Sequence, residues 1–152
     1  MSEATTALPT APHVLEYPYS RSVGPVVGKF LGGLKAGVLL GVRTSSGRVL
    51  CPPLEYDPDT GESTTGEFVV VGPSGTVETW TWSDPRGGQP LDHPFAWALV
   101  KPDGADTALL HAVDAGEESN MSTGMRVTVR WRDERKGHIN DIECFEPEGS
   151  AS

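Results

Sequence analysis

Four histidines, His13, His93, His111 and His138, and two cysteines, Cys51 and Cys144, are the side chains of this 152-residue sequence best suited to proton transfer, nucleophilic attack or metal binding. Their arrangement supports none of these. The histidines fall in a tail, a loop, a strand and a charged segment, without metal-ligand or triad spacing. His111, within Ala108-Leu109-Leu110-His111-Ala112-Val113, is a proton carrier in principle, but the plainer reading is a histidine at a strand's exposed face or edge. Two cysteines cannot supply a four-thiolate zinc site, and two separate thiols are expected rather than a disulfide. Asp57-Pro58-Asp59-Thr60-Gly61 hints at a calcium loop. The twelfth position is Phe68 where a bidentate Glu is needed, however, and the flanks are not helical.

Two other groups suit binding better than turnover. Trp80 and Trp82 share one face of a strand, with Val77, Thr79 and Thr81 expected on the other; that tryptophan face is either core or interface. Arg126, Arg130, Arg132, Arg135 and Lys136 place five of the chain's 12 cations within eleven residues. Guanidinium pairs with phosphate in a forked geometry, so Arg126, Arg130 and Arg132 are candidate phosphate contacts. The alternative is a solvated face paired with Asp133, Glu134 or other local acids.

The elements that must hold these residues follow from composition and periodicity. Eighteen glycines and 13 prolines punctuate short strands and exclude an all-helical bundle. A net charge of -9 argues against broad affinity for duplex nucleic acid or an anionic membrane. No apolar run reaches the roughly 18 to 20 residues that span a bilayer, and Met1 to Pro12 lacks a basic start and an apolar core; the expected location is cytoplasmic. Residues 1–22 and 148–152 lack periodicity and are expected to be flexible.

Val27, Phe30, Leu31 and Leu34 recur at helical spacing between Gly24 and Gly37, with Pro25 suited to a first turn. Gly28, Gly32 and Gly33 each weaken this helix by about 1 kcal/mol relative to Ala, so its apolar stripe must be covered. Short strands are predicted at Val38–Val42, Arg48–Leu50, Phe68–Val71, Thr76–Ser83, Phe95–Val100, Ala108–Val113, Met125–Trp131 and Ile139–Phe145. Pro102-Asp103-Gly104 is a turn between two of them. About five strands from Thr76 to Phe145 match an OB barrel better than an immunoglobulin-like sandwich.

The chain also resembles a family: the zinc-ribbon plus OB-fold proteins associated with acyl-CoA metabolism, long catalogued as a domain of unknown function. Phe30 to Leu40 is similar to the family's helix entry. Gly75-Thr76-Val77-Glu78-Thr79-Trp80-Thr81 and Pro94-Phe95-Ala96-Trp97-Ala98-Leu99-Val100 are similar to its barrel strands, Gly124-Met125-Arg126-Val127-Thr128-Val129 to its Gly-Met-x-Val-x-Val signature, and Phe145-Glu146-Pro147 to its closing Phe-x-Pro. The family's zinc knuckles correspond to Thr44-Ser45-Ser46-Gly47-Arg48 and Asp57-Pro58-Asp59-Thr60-Gly61, where the thiolates are gone, so no bound zinc is expected.

The resemblance implies a mainly β fold: a helix and a degenerate, metal-free, rubredoxin- or zinc-ribbon-like segment over 23–66, then a five-stranded OB-fold domain over 67–147. The cysteine-less form resembles members that accompany lipid-transfer-protein-like thiolases in steroid and lipid breakdown. It implies a non-catalytic subunit of a hetero-oligomer, a heterodimer or a dimer of heterodimers, whose partner performs retro-aldol cleavage and shares acyl-CoA as ligand; this chain binds no cofactor itself. Phe30, Leu34, Tyr56, Trp80 and Trp82 are then the expected partner contacts, and Arg126, Arg130 and Arg132 the expected CoA-phosphate contacts. The competing readings are an OB module for single-stranded nucleic acid, in which aromatics stack on bases, and a free-standing enzyme using His111 with a nearby carboxylate.

Overall fold

The computed structural model describes residues 10–12, 23–85 and 89–149. The flexible ends expected at 1–22 and 148–152 lie largely outside them, as does His13. Glu148 is described and is tied down, because its backbone N–H and its carboxylate both bond to Arg126.

The helix, α1, spans Gly24–Lys35 with proline in its first turn. Its predicted stripe meets the interior, Phe30 and Leu34 being fully buried and Leu31 packed beside them. A Schellman motif ends it: Gly37 takes a positive φ of 77°, its N–H donates to the Leu34 carbonyl, and the Val38 N–H donates to the Gly33 carbonyl. Gly33 lets the helix lie close on the next strand, since a Cβ there would sit 3.0 Å from Leu40 Cδ1.

β1 (Leu39–Arg43), β2 (Val49–Leu50) and β3 (Phe68–Val71) form a three-stranded antiparallel sheet in the order β2-β1-β3. β3, which the 67–147 boundary assigns to the barrel domain, thus pairs with the ribbon segment. β4 (Ser74–Ser83), β5 (Phe95–Pro102), β6 (Leu109–Val113), β7 (Arg126–Trp131) and β8 (Ile142–Pro147) close a five-stranded barrel in the order β4-β5-β6-β8-β7. All pairings in it are antiparallel except β6 with β8, which meet in parallel at Val113 and Phe145. Helix, sheet and barrel share one core: Phe30, Leu34 and Val71 belong to the same buried cluster as Val77, Val100, Val127 and Phe145.

Two expectations are corrected. Ile139–Asp141 is a 3-10 turn rather than the start of β8, because Asp141 turns back to accept the N–H groups of Lys136, Gly137 and His138 at 2.9, 2.7 and 3.0 Å. Val77 does not share a face with Thr79 and Thr81. A β-bulge at Glu78 inserts one residue between the pairs Val77–Val100 and Thr79–Leu99, which restarts the alternation: Val77 is buried, Thr79 and Thr81 are exposed, and Trp80 and Trp82 pack against the barrel core.

A second, small apolar cluster lies on the outside of the barrel wall. Phe95, Ala112 and Cys144 project outward there, and Leu91, from the β4–β5 connection, covers them. Trp97 borders this cluster, edge-on to Phe95 with ring centroids 5.2 Å apart.

Candidate functional site

The residues with catalytic potential are occupied by structural work. His111 is not at an exposed edge. It pairs with Ala98 across β5 and β6 and points inward, 5% exposed, its ring edge-on to Phe145. Nδ1 accepts the Ala112 N–H at 2.8 Å. Burial drives its pKa below the ordinary histidine value, so the ring is neutral at pH 7. His138 caps the 3-10 turn by accepting the Asn140 N–H, and His93 lies between Asp92 and Asp114 at 3.1 and 3.0 Å. Cys51 and Cys144 are separate, buried, free thiols, each pushed up to about 12 by burial and therefore unreactive. Among the described residues no group of three or more His, Cys, Asp or Glu is placed to hold a metal ion.

The two turns that resemble the family's zinc knuckles are held by hydrogen bonds. Thr44, almost fully buried, accepts the Arg48 N–H at 3.1 Å and shares a bond with Ser46. Asp57, equally buried, accepts the Asp59 N–H at 2.9 Å, while its Oδ2 has no hydrogen-bond partner. The two turns are joined directly, Arg48 to Asp59 and Ser45 to Glu62. Hydroxyls that are protonated at neutral pH are poor zinc ligands, Asp59 and Glu62 are engaged by Arg48 and Ser45, and side-chain bonds join the two turns.

The arginine row is paired with acids, though from neighbouring elements rather than from Asp133 or Glu134. Arg126 grips Asp103 with two bonds of 2.7 and 2.5 Å and also reaches Glu148. Arg130 bonds Glu143, Glu146 and Asp114 at 2.6, 3.2 and 3.1 Å. Arg135 donates to the Lys35 carbonyl, so the β7–β8 connection places a cation at the negative end of α1. Arg132 is the least engaged by acids: its Nε donates to the Asn140 carbonyl at 2.6 Å, and the Glu143 carboxylate lies 3.7 Å away. An open cleft of about 810 Å³ is lined by Arg130, Arg132, Lys136, Asp141 and Glu143, with both charge signs on its walls. At Asp141 burial opposes ionisation, but the three backbone donors outweigh it and hold the carboxyl below its ordinary value.

The five expected partner contacts divide. Phe30 and Leu34 are inside the chain's own core, so the cover that the helix requires is supplied by the fold itself. Trp80 and Trp82 are half-buried against the barrel interior. Tyr56, 58% exposed and bridged to Ser63, remains on the surface beside the exposed Leu54.

The sequence reading missed a different surface. Leu99 and Leu110 face each other across β5 and β6 on the outer wall and are 37% and 61% exposed. Beside them a hollow of about 340 Å³ is lined by Pro90, Trp97, Leu110, His111, Arg132 and Ile139. It opens between the β4–β5 connection, β5–β6 and the β7–β8 connection, the side on which OB barrels commonly take ligands. The alternation within Phe95 to Leu99 carried that signal, since 95, 97 and 99 are all apolar where an outer row is expected to be polar.

The family model described as "ChsH2, C-terminal OB-fold domain" matches residues 68–132. Among solved structures the chain is similar to one titled "Ltp2-ChsH2(DUF35) aldolase", with 18% identity over 84% of this chain and 98% of that one and a TM-score of 0.61. It is likewise similar to a DUF35-family protein of unknown function from Sulfolobus solfataricus, with 18% identity over 83% of this chain and 85% of that one, also at a TM-score of 0.61. No curated protein matches. The expected OB fold stands on the barrel's closure and on these likenesses, and no helix among the described residues is long and apolar enough to cross a membrane.

Proposed function

We propose, because residues 68–132 match the family model of the ChsH2 C-terminal OB-fold domain, that the chain is a non-catalytic subunit that docks on a thiolase-fold, lipid-transfer-protein-like aldolase and stabilises it. The partner cleaves the side chain of an acyl- or steroid-CoA thioester by a retro-aldol step. In that step a carbon–carbon bond next to a hydroxyl breaks, the hydroxyl becomes a carbonyl as it loses its proton, and the released carbanion takes up a proton. Acyl-CoA is a ligand of the complex, whose entrance this chain helps to shape. The carrying observation is chemical: among the described residues the histidines and thiols are buried or hydrogen-bonded, and the bonds of the histidines go to carboxylates and backbone groups rather than to a hydroxyl or thiol.

The charged residues refine this reading. Arg126 and Arg130 already hold five carboxylates between them, so a phosphate would have to displace acids at either one. A track for single-stranded nucleic acid lacks its ingredients for the same reason, and Trp80 and Trp82 turn toward the core instead of offering stacking faces.

Reconstitution tests the proposal. The chain alone, given the CoA thioester, is expected to release no carbonyl product, whereas the aldolase purified with it is expected to be active and to elute as a stoichiometric complex. An aldolase whose solubility and turnover are the same with and without this chain would overturn the reading, as would turnover by the chain on its own.

A further inference from the structure

The outer wall of the barrel over β4, β5 and β6 carries an uncharged stretch, bounded by Glu78 on β4 and Lys101 on β5, in a chain that is 22% charged. Its outward side chains, read from the strand register, are Thr79 and Thr81 on β4, Trp97 and Leu99 on β5, and Leu110 on β6. Thr79, Leu99 and Leu110 form one cross-strand row, and Thr81, Trp97 and Ala112 form the next. Depletion of charge together with an aromatic and bare leucines is the composition of an interface core.

The chain covers only part of this wall. Leu91 folds over Phe95, Ala112 and Cys144 and buries them, Trp97 stands half-covered at the border, and one row further along Leu99 and Leu110 lie open. The apolar surface therefore continues past the point where the chain's own cover stops. At that edge the hollow of about 340 Å³ offers a socket walled by Pro90, Trp97, Leu110 and Ile139. Arg132 stands at the same hollow, half-exposed and steered by its bond to the Asn140 carbonyl, with a carboxylate no nearer than 3.7 Å. β5 is paired along both edges, with β4 and with β6, so no strand can insert beside Trp97 and Leu99. What docks on this face over β5 must do so by side chains.

We infer that this wall is a docking surface for the partner subunit, and that its occupant is a loop or hairpin bearing apolar side chains with a carboxylate beside them. One apolar side chain fills the hollow, its neighbours cover Leu99 and Leu110, and the carboxylate pairs with Arg132. The exposed apolar pair Leu99 and Leu110 beside the hollow favours a protein over a small ligand, and the few cations there, Lys101 and Arg132, disfavour nucleic acid. The inference rests on the proposed role as a partnered subunit and adds to it the face that is used.

The test uses the full chain co-expressed with the thiolase-fold aldolase, and compares the wild type with Leu110→Asp, Arg132→Glu and, on the ribbon, Tyr56→Asp. Leu110 and Arg132 reach solvent, so both wall variants are expected to melt at the wild-type temperature. Leu110→Asp is expected to weaken the complex by roughly thirtyfold or more, the effect of spoiling an interface centre, and Arg132→Glu by roughly tenfold. Should the wild type bind while both wall variants bind equally well, the inference is overturned and the subunit role stands. If Tyr56→Asp alone abolishes binding, the ribbon is the docking face and the inference again falls. A wild-type chain that does not bind the aldolase removes the subunit role, and this inference with it.

Discussion

Gly75→Ala is expected to lower the stability of the chain by about 3 kcal/mol, which for a domain of this size is a fall of roughly 6 to 12 °C in Tm. Gly75 lies in β4 between two neighbours, paired with Pro102 on one side and Val127 on the other. A Cβ there would stand 2.6 Å from the Lys101 carbonyl oxygen and 2.9 Å from Val100 Cγ1. The first contact is with backbone, so no rotamer change relieves it, and β4 and β5 would have to separate where the barrel wall closes on β7. Gly32→Ala is the matched control with the opposite sign. Gly32 lies inside α1, exposed, with nothing within 4 Å of its would-be Cβ, so alanine there is expected to raise stability by about 0.5 to 1 kcal/mol. Denaturant titration of the two variants checks both. Equal and small effects would mean that β4 and β5 are not packed as closely as the structure has them.

This contrast shows what the sequence makes legible. All three helix glycines looked like weaknesses of one kind, about 1 kcal/mol each, yet Gly33 is a contact surface for Leu40 and Gly32 touches nothing. Propensity is local, and the distinction depends on which strand the helix meets. Strand positions were legible because period-two alternation is also local. The faces were not, once a bulge intervened: one extra residue at Glu78 reverses every side chain after it, and nothing in Thr76 to Ser83 marks that insertion. His111 was misplaced for a related reason. Leu109-Leu110-His111-Ala112-Val113 is apolar at nearly every position, so the pattern alone cannot say whether the polar member faces in or out. The arginine row was visible, but its partners are distant in sequence: Glu143, Glu146 and Glu148 come from β8 or just past it across the β7–β8 pairing, and Asp103 and Asp114 from the ends of β5 and β6, brought to β7 by barrel closure.

Barrel closure also divides the surface into two kinds. Cations that looked available for a ligand are spent on joining β7 to its neighbours and to the helix end, which leaves charge clustered at that side of the molecule. The opposite consequence is the uncharged stretch around Trp97, Leu99 and Leu110 on the outer wall. The cations that stand out in the sequence thus lie where the fold holds itself together, while Leu99 and Leu110, unremarkable in the sequence, are left exposed on the outer wall.

Arg130→Met tests the claim that this row is structural. The β6–β8 seam is the least hydrogen-bonded part of the barrel, one parallel pair at Val113 and Phe145 with an added bond from the Asp114 N–H to the Phe145 carbonyl. Over it Arg130, on β7, reaches Glu143 and Glu146 on β8 and Asp114 just past β6, and His93 holds the other oxygen of Asp114. Methionine keeps most of the volume but leaves three carboxylates facing one another. The expected loss is about 2 kcal/mol at pH 7, below the value for a fully buried pair because these groups are partly exposed. Lysine is expected to restore only part of it, since one ammonium cannot fork among three acids. The loss should shrink as pH falls toward 4 and the freed carboxylates take up protons. In the wild type, His93 is raised above its ordinary 6.5 by its bonds to Asp114 and then Asp92. That contribution is complete below pH 6.5 and lost as pH rises through the raised value. Burial alone would push Asp114 up, but the bonds from His93 and Arg130 outweigh it and hold it below 3.8; its contribution is complete above that pH and lost as pH falls through the lowered value. Both act together between about pH 4 and 6.5, and His93→Gln is expected to flatten the decline on the alkaline side of that window and, because His93 also holds Asp114 down, to weaken the decline on the acid side. Melting curves from pH 3 to 9 for the wild type and the two variants check this, and an Arg130→Met chain within about 0.5 kcal/mol of wild type at pH 7 would return the arginine row to the pool of ligand contacts.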